Sequence, residues 1–584
     1  MHKNLRTFIQ TLKNEHEIVE ISAEVDSYLE IAEIHRRVIE SGGKALFFRN
    51  VKGSSFPVVT NLFGTRRRLD LAFGSKPLQL VKRAVQAAEN LLPPTPSKLW
   101  QYRDLFFTAR RLGTRRLSGA PVLQVRPRDF ALDDLPLLQL WPEDGGHFIT
   151  LPLVYTESPT TGKHNLGIYR MQRYDASSTG MHWQIGKGGG FHYSEAEASG
   201  RPLPVTVFLG GSPALMLSAI APLPEDVPEL LLASLLADEK ITTVSNPLGA
   251  DRHRLIAEAE FAICGSVQPY TRKVEGPFGD HYGYYSLEHN YPIFQSDAVF
   301  HRKNAIYPAT VVGKPRQEDF FIGDYLQELL SPLFPLVMPA VRSLWSYGET
   351  GFHSLAAAVV RERYSREALS AGFRILGEGQ LTLTKFLLLT DTPLDLRDFT
   401  AVLEHVLARA EWDRDLFILS QTAFDTLDYA SGKINHGSKA ILMGLGDPKR
   451  ELLRAFRGPL PGFVKKVESF CPGCLAIEGQ AFDQDQELGS RIAACPEFAD
   501  WQLIVILDDA GLAQTTEGFL WATWTRFDPA RDITAKHVTT QNNHVGYSAP
   551  VVIDARIKPW YPKEVEPDTD TVRLVDARWS EYGV

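Results

Sequence analysis

The run Glu275-Gly276-Pro277-Phe278-Gly279-Asp280-His281-Tyr282-Gly283-Tyr284-Tyr285 restricts the backbone more than any other stretch of this chain. Pro277 fixes its own φ, while Gly276 and Gly279 reach conformations closed to other residues. Such a sequence reads as a constrained turn rather than a floppy loop. Carboxylates stand at both of its ends, Glu275 and Asp280, so the turn can aim both at one point. An acid/base site is the chemical reading of that arrangement; a pair of solvated turn acids is the plain one.

Two earlier segments favour the chemical reading: Asn165-Leu166-Gly167-Ile168-Tyr169-Arg170, and Met181-His182-Trp183-Gln184-Ile185-Gly186-Lys187-Gly188-Gly189-Gly190. An Asn-x-Gly-x-x-Arg element followed by Glu-Gly-Pro-x-Gly-Asp resembles the UbiD family. The resemblance continues through Gly42 to Phe48, Asn61 to Thr65 and Val205 to Pro213, and covers the chain to about residue 446. UbiD-type enzymes are reversible decarboxylases of aromatic and α,β-unsaturated acids that use prenylated FMN. The resemblance therefore implies an aromatic carboxylate substrate, such as a hydroxybenzoate or dihydroxynaphthoate of quinone (menaquinone or ubiquinone) biosynthesis. It also implies a flavin prenyltransferase as cofactor supplier and a homo-oligomer. The extended C-terminus tilts the reading toward menaquinone precursors.

Removing a carboxylate from an sp² carbon leaves an electron pair that no amino acid side chain can accept, so an organic electron sink is needed. By resemblance, Glu275, Arg170 and Asp280 form the family's carboxylate-arginine-carboxylate network. An arginine between two acids favours their charged forms while burial favours the neutral ones, which tunes one of them for proton transfer. Asp280 is assigned as proton donor and Glu275 as its Arg-linked partner. The cofactor would be lined by Ile168, Tyr169, Arg170, His182, Trp183, Gln184, Lys187 and Gly188, with Lys385 as a further phosphate contact. Asn165 and Glu229 match the family's oxygen ligands for Mn²⁺ or Mg²⁺, a hard-cation set beside which the family admits K⁺. The chain departs from the pattern at Gly186, where the family commonly has a histidine; His192 and His182 are the candidates to replace it. That departure motivates the alternative reading, a non-catalytic UbiD-like flavin-binding or scaffolding protein.

With 584 residues the chain exceeds what one hydrophobic core serves, and several domains are expected. A net charge of -8 excludes a general nucleic-acid binder. The local cluster Arg110, Arg111, Arg115 and Arg116 reads as a solvated face, with anionic-partner binding as the alternative. No apolar run is long enough to span a bilayer and no signal-peptide pattern opens the chain, so a cytoplasmic address is expected. Four cysteines make no disulfide framework. Cys471-Pro472-Gly473-Cys474 reads as reduced structural thiols, a metal or redox site being the alternative.

The expected class is α/β (α+β multidomain). Residues 1-118 form an N-terminal α/β domain, opened by a helix with Leu5, Phe8, Ile9 and Leu12 on one face. Residues 119-330 carry short β-branched strands around one leucine-rich helix, Pro228 to Asp238; by resemblance this is a cofactor-binding split β-barrel of flavin-reductase type. Residues 331-450 form a C-terminal α/β domain. Within 451-584 its pattern echoes: Leu387 to Asp391 leads to Arg409 and Arg414-Asp415, and Val505 to Asp508 leads to Arg526 and Arg531-Asp532, every pair at the same separation. That regularity predicts a degenerate second copy; chance likeness of two strand-helix units is the alternative.

Overall fold

A computed structural model describes the chain except residues 1, 184-187, 222, 224-226 and 250-251. It is a mixed α/β multidomain protein of two compact units: residues 1-329 together with Glu564-Val584, and Leu330-Lys563. Among the described residues no helix is long and apolar enough to cross a membrane.

The first unit begins with the helix Leu5-Asn14, which buries Leu5, Phe8, Ile9 and Leu12 and is capped by the Asn4 side chain. A four-stranded sheet follows, ordered Ile18-Val25, Ala45-Val51, Val58-Thr60 and Tyr307-Pro308. Tyr307-Pro308, within the stretch 119-330 expected to form the central domain, thus pairs with the N-terminal sheet rather than with the central one.

The central sheet has six antiparallel strands in the order His164-Ile168, Leu153-Glu157, Leu203-Leu209, Phe261-Glu275, His289-His301 and Ser178-Gly180. Its two edge strands, His164-Ile168 and Ser178-Gly180, are not paired with each other, so the described ladder is open rather than a closed barrel. Phe261-Glu275 and His289-His301 pair along most of their length, with an irregularity between Val267 and Arg272. The run Gly276 to Glu288 is the connection at their far tip, beyond the Glu275-His289 pair. The ends of His164-Ile168 and Ser178-Gly180 lead to Arg170 and His182. Four strand ends of one sheet therefore supply the polar residues of the two motifs.

Gly188, expected by resemblance to line the cofactor, opens the helix Gly188-Ala198 together with Gly189 and Gly190. A Cβ at Gly188 would stand 2.2 Å from Asn165 Oδ1, so only glycine lets the helix start this close to the sheet.

The second unit contains two five-stranded sheets with the same order and directions. In the first, Val341-Ser346, Leu355-Val360, Phe386-Thr390, Gly437-Gly444 and Leu416-Thr422 pair antiparallel, parallel, parallel and antiparallel. In the second, Lys466-Cys471, Cys474-Glu478, Leu503-Leu507, Val551-Asp554 and Ile533-Ala535 do the same. Corresponding acids close corresponding turns: Asp415 Oδ2 accepts from Glu411 N at 3.0 Å and Asp532 Oδ2 from Asp528 N at 2.7 Å. Phe386, Leu388, Trp412 and Leu442 of the first module meet Leu503, Trp524 and Val551 of the second around a void of about 10 Å³. Cys471 and Cys474 face each other across the Pro472-Gly473 hairpin, both thiols free and buried. Burial holds the Cys474 thiol well above its usual range, which suits an inert structural role.

Candidate active site

Arg170 lies between the two turn carboxylates. Its Nε donates to Glu275 Oε1 at 2.9 Å, its Nη1 to Asp280 Oδ2, and its Nη2 to Ser286 Oγ at 2.8 Å, with the guanidinium 4.6 Å from the Phe278 ring. Glu275 is only 1% exposed and Asp280 8%. His182 joins from the neighbouring strand end, Nδ1 2.8 Å from Glu275 Oε2, and its ring lies tilted against that of Tyr291 with centroids 4.3 Å apart. On the far side His281 Nδ1 sits 2.8 Å from Asp280 Oδ1, which also accepts from the His281 N–H. The structure thus brings Arg170, Glu275, Asp280 and His182 into one buried network. His281 and Ser286 complete it; their types are ordinary, and only the folded turn makes them partners.

Burial alone would raise both carboxyls. Against it, the Arg170 charge, followed by His182, holds Glu275 down at about 2. Arg170 and His281 likewise hold Asp280 below the usual carboxylate range. Burial and then Arg170 push His182 below its normal value, and because the ionised Glu275 can only accept, Nδ1–H donates to it. Asp319, near enough to feel Asp280 and His281, is raised, first by burial.

A folded-state pKa of about 2 against an ordinary 4.5 means that Glu275 stabilises the fold above pH 4.5 and loses that contribution as pH falls through 4.5 toward 2. The shift corresponds to about 3 kcal/mol. Glu275→Gln is therefore expected to flatten the acid limb of a stability-versus-pH curve in that window. An unchanged limb in thermal melts would remove Glu275 as its source.

The turn is held from outside by a second polar set. Asp144 Oδ2 accepts from the N–H of Leu140 and Trp141, both at 3.0 Å, and its Oδ1 accepts from Gly279 N at 2.8 Å. Gln172 bridges the same two segments, accepting from Gly276 N at 2.8 Å and donating to Gly145 O at 2.6 Å. Trp141 lies so close that a Cβ at Gly279 would approach its ring to 2.1 Å. No local pattern marks Asp144, because its partners lie far along the chain. Burial lifts it to about 7 despite those three N–H donors.

The residues expected around a flavin gather at the edge of the central sheet. Ile168 ends its strand. The buried Tyr169 hydroxyl accepts from Asn165 Nδ2 at 3.2 Å and from Gly189 N at 3.4 Å. Glu229, first residue of the helix Glu229-Ala237, accepts from Leu166 N at 3.1 Å, beside Asn165. Among the described residues two buried nitrogens there have no protein partner, His182 Nε2 and the Trp183 Nε1–H. With the helix N-terminus at Gly188 they fit an anionic, hydrogen-bonding aromatic cofactor. Gln184, Gly186 and Lys187 lie outside the described residues.

Of the two histidines proposed to replace the missing ligand, His182 is engaged with Glu275. His192 bonds Thr156 Oγ1 at 2.8 Å, and Thr156 pairs with Asn165 across the strands. Among the described residues no preformed group of three or more His, Cys, Asp or Glu is placed to hold a metal. Lys385 needs correction: it is 1% exposed, with Nζ 2.6 Å from Asp428 Oδ2 inside the second unit, and so is enclosed rather than offered to a phosphate. Arg110, Arg115 and Arg116 are solvent-exposed, and the exposed Arg111 reaches Asp238 at 3.4 Å.

Three domain models match the chain: the 3-octaprenyl-4-hydroxybenzoate carboxy-lyase N-terminal domain over 9-88, its Rift-related domain over 115-315 and its C-terminal domain over 320-444. An uncharacterized protein of Chlamydia trachomatis is 51% identical over 99% of both chains. A Chlamydia pneumoniae protein named as a subunit of 4-hydroxybenzoate decarboxylase is 50% identical over 99% of this chain and 98% of its own. Among solved structures, the UbiD-class enzyme HmfF of Pelotomaculum thermopropionicum is similar in two forms. An evolved dimeric form in complex with prFMN is 23% identical with a TM-score of 0.63, and a complex with FMN is 25% identical with a TM-score of 0.62. Each covers 79% of this chain and 98% of that one.

Proposed function

Because the chain belongs to the UbiD carboxy-lyase family, we propose that it is a cytoplasmic, reversible, non-oxidative decarboxylase of an aromatic carboxylic acid that works with prenylated FMN. The observation that carries this reading is the buried Arg170 bridging Glu275 and Asp280, beside buried nitrogens at the sheet edge that have no partner among the described residues. The names of its relatives favour 4-hydroxybenzoate or a prenylated derivative, hence quinone biosynthesis, and the naming of one relative as a subunit favours an assembly.

His182, Trp183, Tyr169 and the N-terminus of the helix Gly188-Ala198 would hold the flavin, with Asn165, Glu229 and His192 holding Mn²⁺ or Mg²⁺ at its phosphate. When bound, prenylated FMN supplies the electron sink for the pair left as carbon dioxide departs. Asp280 then protonates the carbon. In the resting site Asp280 is ionised, so it must first take up a proton. A substrate carboxylate entering near Arg170 weakens the arginine's hold and raises Asp280. His281 Nδ1, in contact with Asp280 Oδ1, is the route for that proton. Glu275 stays ionised and, with His182, fixes the guanidinium. We also read the segment 451-584 as carrying a degenerate second copy of the module before it, its strands lying between residues 466 and 554, on the strength of the equal strand order.

The test is expression with a flavin prenyltransferase, followed by mass and absorbance spectrometry and a carbon dioxide assay on 4-hydroxybenzoate and dihydroxynaphthoate. About one prenylated FMN per chain with turnover is the expected result. A protein that stays empty despite prenyltransferase and Mn²⁺ would replace this reading with a non-catalytic scaffold.

A further inference from the structure

We propose that the C-terminal segment 564-584 is a positioning strap for the turn that carries Asp280, and that Val565 is its point of action. The turn closes on itself through Asp280 N to Tyr284 O at 3.0 Å and Gly283 N to Asp280 O at 2.8 Å. Its outer edge is then completed by the far end of the chain. Val565 N donates to Gly283 O at 3.1 Å, and Glu564 pairs with Tyr284 in an antiparallel bridge. The Glu564 carboxylate is fixed by Lys314 Nζ at 2.7 Å. Val565 is 4% exposed and belongs to the same apolar cluster as Phe278, Tyr285 and Trp141.

The helix Thr569-Tyr582 tethers this rung. Val575 and Tyr582 are buried, and Tyr582 Oη and Arg578 Nη1 both reach Glu30 Oε1, at 2.7 and 2.5 Å. Arg37 donates to Asp576 Oδ1 at 2.6 Å and to Val572 O at 3.1 Å. Those anchors stand on the helix Glu30-Glu40, which also steers the other side of the turn. Glu33 joins Arg37 to Arg36, and Arg36 donates to Leu140 O at 2.9 Å while stacking 4.2 Å from Trp141. From there Asp144 reaches Gly279. The strap thus presses directly on Gly283-Tyr284, the hydrogen-bond partners of Asp280 across the turn, and through one helix on Gly279, its neighbour in the chain. The three matched family domains end at residue 444, so this element lies outside all of them.

The positioning role rests on the decarboxylase reading; the restraint on the turn does not. In the full-length protein, Val565→Pro deletes the one N–H that Gly283 O receives from the strap while keeping an apolar residue there. Hydrogen exchange read by mass spectrometry is expected to accelerate about tenfold or more in peptides covering 279-285, with those of the helix Glu30-Glu40 unchanged. With cofactor content equal to wild type, kcat is expected to fall about tenfold or more and KM to stay within about threefold, because a small misplacement of the acid affects the chemical step. The double variant Arg578→Ala, Tyr582→Phe loosens the tether without touching the rung and decides the matter should Val565→Pro fail to fold. Unchanged exchange over 279-285 in the folded variants overturns the proposal. Faster exchange in the variants, where the wild-type protein itself decarboxylates nothing, keeps the strap and sinks the enzyme reading instead.

Discussion

Arg170→Met is expected to lower the stability of the first unit by about 3-5 kcal/mol and to abolish turnover, because it leaves two buried carboxylates without their cation. Glu275 and Asp280 are held ionised against burial chiefly by this one guanidinium. Without it both rise and take up protons, and Ser286 loses its donor. Arg170→Lys restores a charge but cannot span Glu275, Asp280 and Ser286 together, so it should recover part of the stability and little of the rate. Thermal melts at neutral pH with a cofactor titration would show this. A methionine variant that melts with wild type would mean the network carries no stability.

Asp280→Asn is the second large effect. Amide for carboxyl keeps the shape and a contact to Arg170 but has no transferable proton, so turnover should fall by about 10²-10⁴ with bound flavin unchanged. Stability should fall less than in Arg170→Met, since no unpaired buried charge is created on the acid itself. Single-turnover assays on loaded protein distinguish the two variants: activity within a factor of about ten of wild type would assign the proton to another group, and His281 would be the first candidate.

The convergence of Glu275 and Asp280 is legible in the chain because the Gly-Pro-x-Gly turn leaves both little freedom, whereas Arg170 between them is legible only through the resemblance of the two motifs to the UbiD family. The like strand order of the two sheets in the second unit has a counterpart in the chain, where strand, helix and Asp-terminated turn recur at equal spacing. The clamp by Asp144 and Gln172 is not legible, since a carboxylate accepting backbone N–H groups leaves no mark on its neighbours in sequence. The helix at Gly188 escapes a propensity reading because three glycines disfavour it, and close packing against Asn165 and Trp183 outweighs that preference. Lys385 misleads in the opposite sense: a cation at a strand entry suggests an anion site, while the fold closes it against Asp428.

The division of the chain also sets an order of events at the ribosome. Residues 330-563 are contiguous and can fold as they emerge, whereas the unit bearing the carboxylates lacks its strap until the whole second unit has been made. The residues that pair with Gly283 and Tyr284 are therefore synthesised after every residue of the two motifs. A nascent chain that stops within the second unit holds both carboxylates and their arginine and still has an incomplete turn.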